Sequence, residues 1–309
     1  MPLRPDPNPD RVVDNHRRQW RDCRFVYPVV SRRAGGLSIG VNLNIDKRCN
    51  YRCIYCQIDR RVGRRSVEID VDRLGEELDL ALQAARSGEV WSEPRFADTP
   101  EPMRRINDIA FSGDGEPTCL PQFPDAVDAA VDALKRADAD DVKIVLITNS
   151  THLRDATTQD GLKLLDAHNG EIWAKLDAGT EEMFRRVNRP PAGLTLQEIC
   201  DNLLATALVR PIVIQTLLMR IDGEPPVDAE IAAYIGRLRW LIGNGGQVKL
   251  LQLHTVARPP AMPGVAMLPE PDLRAIAAHI GSDLPGLDIA VYTGREVSPQ
   301  RAAPPDAAT

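Results

Sequence analysis

The sequence predicts an α/β protein built as a partial (β/α)6 TIM-like barrel with a short C-terminal helix–strand extension, and three observations carry that expectation. Short apolar runs alternate with amphipathic stretches from about residue 37 to 258, the pattern of repeated strand–helix units and a parallel sheet. The runs number six, and right-handed crossovers between parallel strands curl such units into part of a barrel. A hydrophobic fraction of 43% over 309 residues is enough to bury a substantial core.

The strands expected in chain order are Leu37 to Asn44, Ile106 to Ser112, Val142 to Asn149, Ile172 to Asp177, Ile212 to Met219 and Val248 to His254. Between them lie helical patterns over Asp72 to Ala85, Phe123 to Arg136, Leu162 to His168, Leu196 to Leu208 and Val227 to Ile242. In the last of these, Ile231, Tyr234, Ile235 and Leu238 recur at helical spacing, giving one apolar face to lay on a sheet. The stretch from Ser87 to Arg105 holds three prolines and several acidic residues, and reads as a long surface loop of the kind that forms lids. A proline-rich hinge at 258–264 leads to a helix near Asp272 to Ile280 and a strand near Leu287 to Tyr292. The expected organisation is a basic N-terminal extension over 1–36, a core over 37–258, a C-terminal extension over 259–297 and a disordered tail over 298–309.

Net charge is -6, unevenly spread: residues 1–65 hold 15 Lys and Arg against 6 Asp and Glu. The overall balance argues against a protein that coats nucleic acid, while the basic first fifth can meet phosphates, an acidic partner, or only solvent. The N-terminus is polar and proline-rich without an apolar signal core, and no eighteen apolar residues run together, so no membrane span is expected. Six cysteines, three of them between positions 49 and 56, do not form a disulfide framework. Such clustering favours a metal and a reducing, cytoplasmic setting.

The decisive stretch is Cys49-Asn-Tyr-Arg-Cys53-Ile-Tyr-Cys56, directly after the first expected strand. Three thiolates within eight residues can bind three irons of a 4Fe-4S cubane and leave the fourth without a protein ligand. The competing reading is structural zinc, which wants a fourth ligand; His152 and His168 lie about a hundred residues away. Cys200 falls in a helical pattern and reads as core, whereas Cys119 follows a GDGEPT turn.

The cysteine loop, with the aromatic Tyr55 before its third cysteine, resembles the radical S-adenosylmethionine (SAM) superfamily. The segments at 27–57, 111–118, 146–150, 175–190 and 251–260 together resemble its wyosine-synthase-related branch of Fe-S oxidoreductases. The resemblance implies a 4Fe-4S cluster on Cys49, Cys53 and Cys56, with SAM chelating the open iron and cleaved reductively to a 5'-deoxyadenosyl radical that abstracts hydrogen from a substrate. It also implies an electron donor such as flavodoxin or ferredoxin.

Gly113, Asp114, Gly115 and Glu116 stand where the family has a turn that binds the SAM amino group, here with Asp114 between the two glycines. Physically, glycines admit a close ligand and a carboxylate accepts from an amine, although Asp-Gly at a strand end is also simply a turn. Asn149, Ser150 and Asp177 fall at strand ends, where barrel enzymes face their ligand, or equally where a side chain caps the next helix. Lys175 shares a strand face with Asp177. Gln252 and His254 share a face of the sixth strand, with Arg258 just beyond; the resemblance places this strand beside the adenine and substrate, while a lone histidine also serves packing.

For the substrate, a tRNA base, a small metabolite and a peptide all stay open. The basic N-terminal fifth suits tRNA. Wyosine synthases, however, build a second cluster from further N-terminal cysteines, and Cys23 stands alone upstream of the loop. The absence of cysteines after Cys200 argues against a C-terminal auxiliary cluster. The alternative from a different class is a non-catalytic iron–sulfur or zinc protein acting as a redox sensor or binding module.

Overall fold

The computed structural model describes residues 20–31, 33–58, 60, 68–257 and 262–293. Its sheet runs β1 (Val26–Ser31), β2 (Gly36–Val41), β3 (Ile106–Phe111), β4 (Lys143–Thr148), β5 (Gly170–Lys175), β6 (Ile212–Ile221), β7 (Val248–Thr255) and then β9 (Ile289–Tyr292), with β8 (Val265–Met267) hooked onto β6. All six expected strands form, and β2 to β7 are parallel neighbours in chain order. The helices between them are α1 (Val71–Arg86), α2 (Phe123–Arg136), α3 (Ala156–Ala167), α4 (Glu181–Val187), α5 (Leu196–Ala207) and α6 (Asp228–Gly243), with α7 (Glu270–Asp283) before β9. The sheet is the curled half-barrel expected from the alternation.

Residue parity along each strand decides its two sides. Ile109, Phe111, Ile144, Leu146, Ile172, Ala174, Ile212, Ile214, Leu251 and Leu253 face the helices and form the main core. Within α2, Phe123, Ala126, Val127, Ala130, Val131 and Leu134 make the matching stripe. The opposite parity lines the lumen, where Ala110, Val145, Trp173 and Val213 form a small apolar cluster of their own.

Each free edge of the parallel set receives one more strand. β1, inside the segment expected as an N-terminal extension, pairs antiparallel with β2, Tyr27 opposite Gly40. Glu77 of α1 fixes where it starts, accepting the backbone N–H groups of Arg24, Phe25 and Val26 at 2.8, 2.7 and 3.1 Å. At the other edge β9 pairs parallel with β7, Tyr292 opposite His254.

Three departures have physical causes. Helix α3 starts at Ala156, six residues before the apolar pattern, because its first half packs through small residues: Thr158 and Gly161 are buried, and a Cβ on Gly161 would strike the Phe123 ring. The Ser87–Arg105 stretch is not a lid. It carries two short 3-10 turns at Glu89–Ser92 and Glu101–Met103, and its Val90 and Phe96 pack with Val30, Leu37 and Ala85. That connection enters β3 and so lies at the N-terminal ends of the strands, away from the cysteine loop. Helix α4, begun by a Thr180 cap accepting from Met183 N–H, and strand β8 had no clear apolar period to announce them. Arg258 and the 298–309 tail lie outside the described residues. Among the described residues no helix is long and apolar enough to cross a membrane.

Candidate active site at the strand ends

The cysteine loop leaves β2 at its C-terminal end and crosses to the ends of β3, β5 and β6. Its anchors are polar. Tyr55 Oη donates to Asp177 Oδ2 at 2.5 Å, and Asn188 Nδ2 donates to the same oxygen at 2.9 Å. Asp177 Oδ1 accepts from the Leu217 N–H of β6 at 2.9 Å. One buried carboxylate thus ties the cysteine loop, the end of α4 and β6 together. The Ile54 N–H donates to the Val187 carbonyl at 2.9 Å, a second tie to α4.

All six cysteines are free thiols. Two of the three in the loop receive a side-chain donor: Asn188 Nδ2 lies 3.6 Å from Cys53 Sγ, and Arg60 Nη2 lies 3.5 Å from Cys56 Sγ. Burial pushes the Cys49 thiol up to about 11 and Cys53 up to about 12, so both are neutral at neutral pH. Among the described residues no three Cys, His, Asp or Glu side chains converge as a finished metal site; a metal that binds the thiols displaces their protons. The donor set itself fits an iron–sulfur cluster: soft sulfurs in one short loop, with N–H donors aimed at two of them. Cys119 lies beside this loop, its thiol pushed up to about 12 by burial and by Glu116, and it accepts the Asn50 N–H.

The GDGE turn packs against the lead-in to the cysteine loop. A Cβ on Gly113 would collide with Asn42 and one on Gly115 with the Arg48 carbonyl, so both glycines serve contact between the two loops. Asn42 Oδ1 accepts from Asp114 N–H at 3.0 Å, and Asn42 Nδ2 donates to Asp114 Oδ2 at 2.9 Å. Glu116 turns inward, 3% exposed. Its Oε1 accepts from Thr118 Oγ1 and Thr148 Oγ1, both at 2.7 Å, and its Oε2 accepts the Asn149 N–H at 2.6 Å. Burial pushes its carboxyl above the ordinary carboxylate range against the pull of these donors.

Asn149 reaches the cysteine loop from the other direction, Nδ2 donating to Asn50 Oδ1 at 2.6 Å. Ser150 is fully buried in the left-handed region, φ +71°, and its hydroxyl donates to the Lys175 carbonyl at 3.0 Å, clasping β4 to β5. Its side chain therefore points into the fold. Gln252 Oε1 accepts from Gln215 Nε2 at 2.7 Å.

Below the loop opens a cavity of 370 Å³ whose lining includes Tyr55, Cys56, Gly113, Lys175, Gln215 and His254. Its walls are the inward parity of β1 to β7 and β9, and Tyr27 and Tyr292 stand at its two edges. The Tyr27 ring covers Gly40, and its hydroxyl donates to the Ser112 carbonyl at 3.2 Å. Lys175 holds its ammonium 5.3 Å from the Tyr55 ring centroid. Burial keeps the His254 imidazole well below its ordinary range, and its Nδ1 has no hydrogen-bond partner. Sequence reasoning passed over Asn188, Arg60, Asp108, Gln215 and Tyr27; strand register, invisible until the pairing is known, places the last three here, and contact with the cysteine loop places the first two.

A parallel half-barrel with three free thiols at the C-terminal ends of its strands, above a lumen of mixed polar and apolar walls, is the layout of an enzyme that works at that mouth. The Radical SAM superfamily model matches residues 43–235, and the chain belongs to that superfamily. Membership implies an iron–sulfur cluster, SAM and SAM-dependent radical chemistry. Among curated relatives, a UPF0026 protein of Methanocaldococcus jannaschii is 28% identical over 178 residues, which is 58% of this chain and 48% of that one. A UPF0026 protein of Synechocystis is 28% identical over 211 residues, 67% of this chain and 64% of that one. The chain thus spans about half the length of the first and under two thirds of the second. Among solved structures, a radical SAM methyltransferase from Sphaerobacter thermophilus superposes with a TM-score of 0.56 at 15% identity, over 86% of this chain and 68% of that one, a likeness of fold.

Proposed function

We propose that Cys49, Cys53 and Cys56 hold a 4Fe-4S cluster at the mouth of the lumen, and that the protein is a radical SAM oxidoreductase acting on a substrate inside it. Such a cluster, with SAM on its open iron and an electron from a flavodoxin- or ferredoxin-type donor, supplies a 5'-deoxyadenosyl radical for hydrogen abstraction. The observation that carries the reading is that Cys56 and Tyr55 line the same cavity as the inward faces of eight strands. A radical generated at the loop is delivered into a space walled by the strands, which limits access of water and competing hydrogen donors.

The remaining roles follow from what each side chain touches. Gly113 and Tyr55 face the cavity and fit contacts to SAM, with the half-buried Lys175 ammonium beside Tyr55 suited to a carboxylate. Asp114 and Gly115 hold the turn against the cysteine loop. Glu116, Asn149, Ser150 and Asp177 act as positioning residues, since their polar atoms grip backbone and loop. Gln252 orients Gln215. A cavity of 370 Å³ favours a small molecule over a peptide or a tRNA, and thiolate ligands favour a reducing cytoplasm.

The test is anaerobic turnover. Reconstituted, reduced protein converts SAM to 5'-deoxyadenosine, and Cys53→Ala does not. Equal turnover by that variant would rule this mechanism out, and a reconstituted centre that binds no SAM in calorimetry would leave an iron–sulfur or zinc sensor as the better account.

A further inference from the structure

The lumen contains a carboxylate that the cluster chemistry does not use. Asp108, on β3, is 2% exposed and lines the cavity. Ser38 Oγ donates to its Oδ1 at 2.5 Å, and the Asn107 side chain also donates. Among the described residues it makes no ion pair: Lys143 is paired with Glu171 at 3.4 Å, and Arg33 lies with its guanidinium 5.8 Å from the Trp173 ring centroid. Burying a carboxylate is costly; Ser38 and Asn107 offset part of that cost, and a cation at the carboxylate would offset more.

A polar atom of the same wall has no hydrogen-bond partner. Gln215, on β6, is fully buried, and its Nε2 is spent on Gln252, which leaves Oε1 without a donor. Asp108 and Gln215 stand on strands separated by β4 and β5, and both line the one cavity. An orphaned amide oxygen on one strand and a buried carboxylate with no ion-pair partner on another suit a ligand that brings a donor to the first and a positive charge to the second.

We infer that the lumen is built for a small substrate carrying an amine, whose ammonium end is received by Asp108 and whose second N–H or O–H donor is received by Gln215. The inference rests on the lumen being the reaction chamber proposed above. It assigns the end of the substrate that is held, leaving the far end to reach toward Cys56 and Tyr55. Burial pushes the Asp108 carboxyl up to about 6, with Arg33 and Lys143 the charged groups that oppose this; at neutral pH it is still largely ionised and so able to pair with an ammonium.

Ligand-observed NMR on the full chain with its cluster reconstituted decides this with three matched probes: 4-aminobutan-1-ol, 4-hydroxybutanoate and 1,4-butanediol. The expected result is saturation transfer to the amino alcohol above both comparators, weakened roughly tenfold by Asp108→Asn and also by Gln215→Met. Stronger transfer to the hydroxy acid, no transfer to the amino alcohol, or binding unchanged by Asp108→Asn would overturn it. The preference among probes is read on the wild-type chain, so it decides the matter even if a variant does not fold. Cluster absorbance and SAM binding recorded on the same samples separate the two readings: loss of those signals in wild type removes the proposed chemistry, whereas their survival without an amine preference removes only this inference.

Discussion

The Tyr55 hydroxyl donates to Asp177 Oδ2 at 2.5 Å, which fastens the cysteine loop to the far side of the barrel mouth. The bond joins positions 122 residues apart in the chain. Tyr55→Phe keeps the ring and removes the donor, so Asp177 retains only Asn188 and the Leu217 N–H. Losing a hydrogen bond to a charged acceptor costs about 1.5–3 kcal/mol. Urea unfolding of the variant should show that loss, and its reconstituted cluster should yield to a chelator faster than wild type.

Asn188 donates both to Asp177 Oδ2 and to Cys53 Sγ, at 2.9 and 3.6 Å. Hydrogen bonds to cluster sulfur stabilise the more negative, reduced form and raise its potential. Asn188→Ala should shift the midpoint potential in a dye-mediated titration to a more negative value, while iron content per chain stays near that of wild type. An unmoved potential would show that this contact does not act on the cluster.

Gly40 has no Cβ because the Tyr27 ring lies across it. Gly40→Ala therefore forces Tyr27 aside, at a cost of about 1–3 kcal/mol for overpacking. It also strains the Tyr27 bond to the Ser112 carbonyl, one residue before the GDGE turn. The lowered urea midpoint should be accompanied by weaker SAM binding, and Tyr27→Ala in the same chain should restore part of the stability.

Asp108 gives a pH dependence whose sign can be worked out. Its folded value is raised from the ordinary 3.8 to about 6 by burial, so the folded chain prefers the protonated form. Such a group favours the fold below its unfolded value, and that contribution disappears as pH rises through about 6. Relative to Asp108→Asn, the wild-type chain should lose stability across that window, by an amount on the order of 2–3 kcal/mol, and stay level above it. Urea unfolding of the pair between about pH 4 and 8 measures the difference; a constant difference would show that the carboxyl is not buried as described.

The alternation of strands and helices was legible because apolar period survives in one dimension: all six parallel strands and the full span of α2 stand where the pattern puts them. Elements packed through small or polar residues were not, as the first half of α3 around Thr158 and Gly161 demonstrates. The same holds for the site. Cys49, Cys53 and Cys56 announce themselves by spacing, and Asp177 by its place just after β5. Glu116 and Ser150 stood in expected segments, but which way a side chain turns depends on neighbours from other strands: Thr148 for one, the Lys175 carbonyl for the other. Asp108 and Gln215 were hidden altogether, since a polar residue in a strand shows its meaning only when the curl of the sheet places it in a lumen.

The central claim is that one iron of a cluster on Cys49, Cys53 and Cys56 stays open for SAM at the mouth of that lumen. Electron paramagnetic resonance of the reduced, reconstituted protein, recorded with and without SAM, tests it most directly. The account predicts a cluster signal that SAM visibly alters and that vanishes in Cys49→Ala, Cys53→Ala and Cys56→Ala; a signal indifferent to SAM, or one that persists when those thiols are removed, would contradict it.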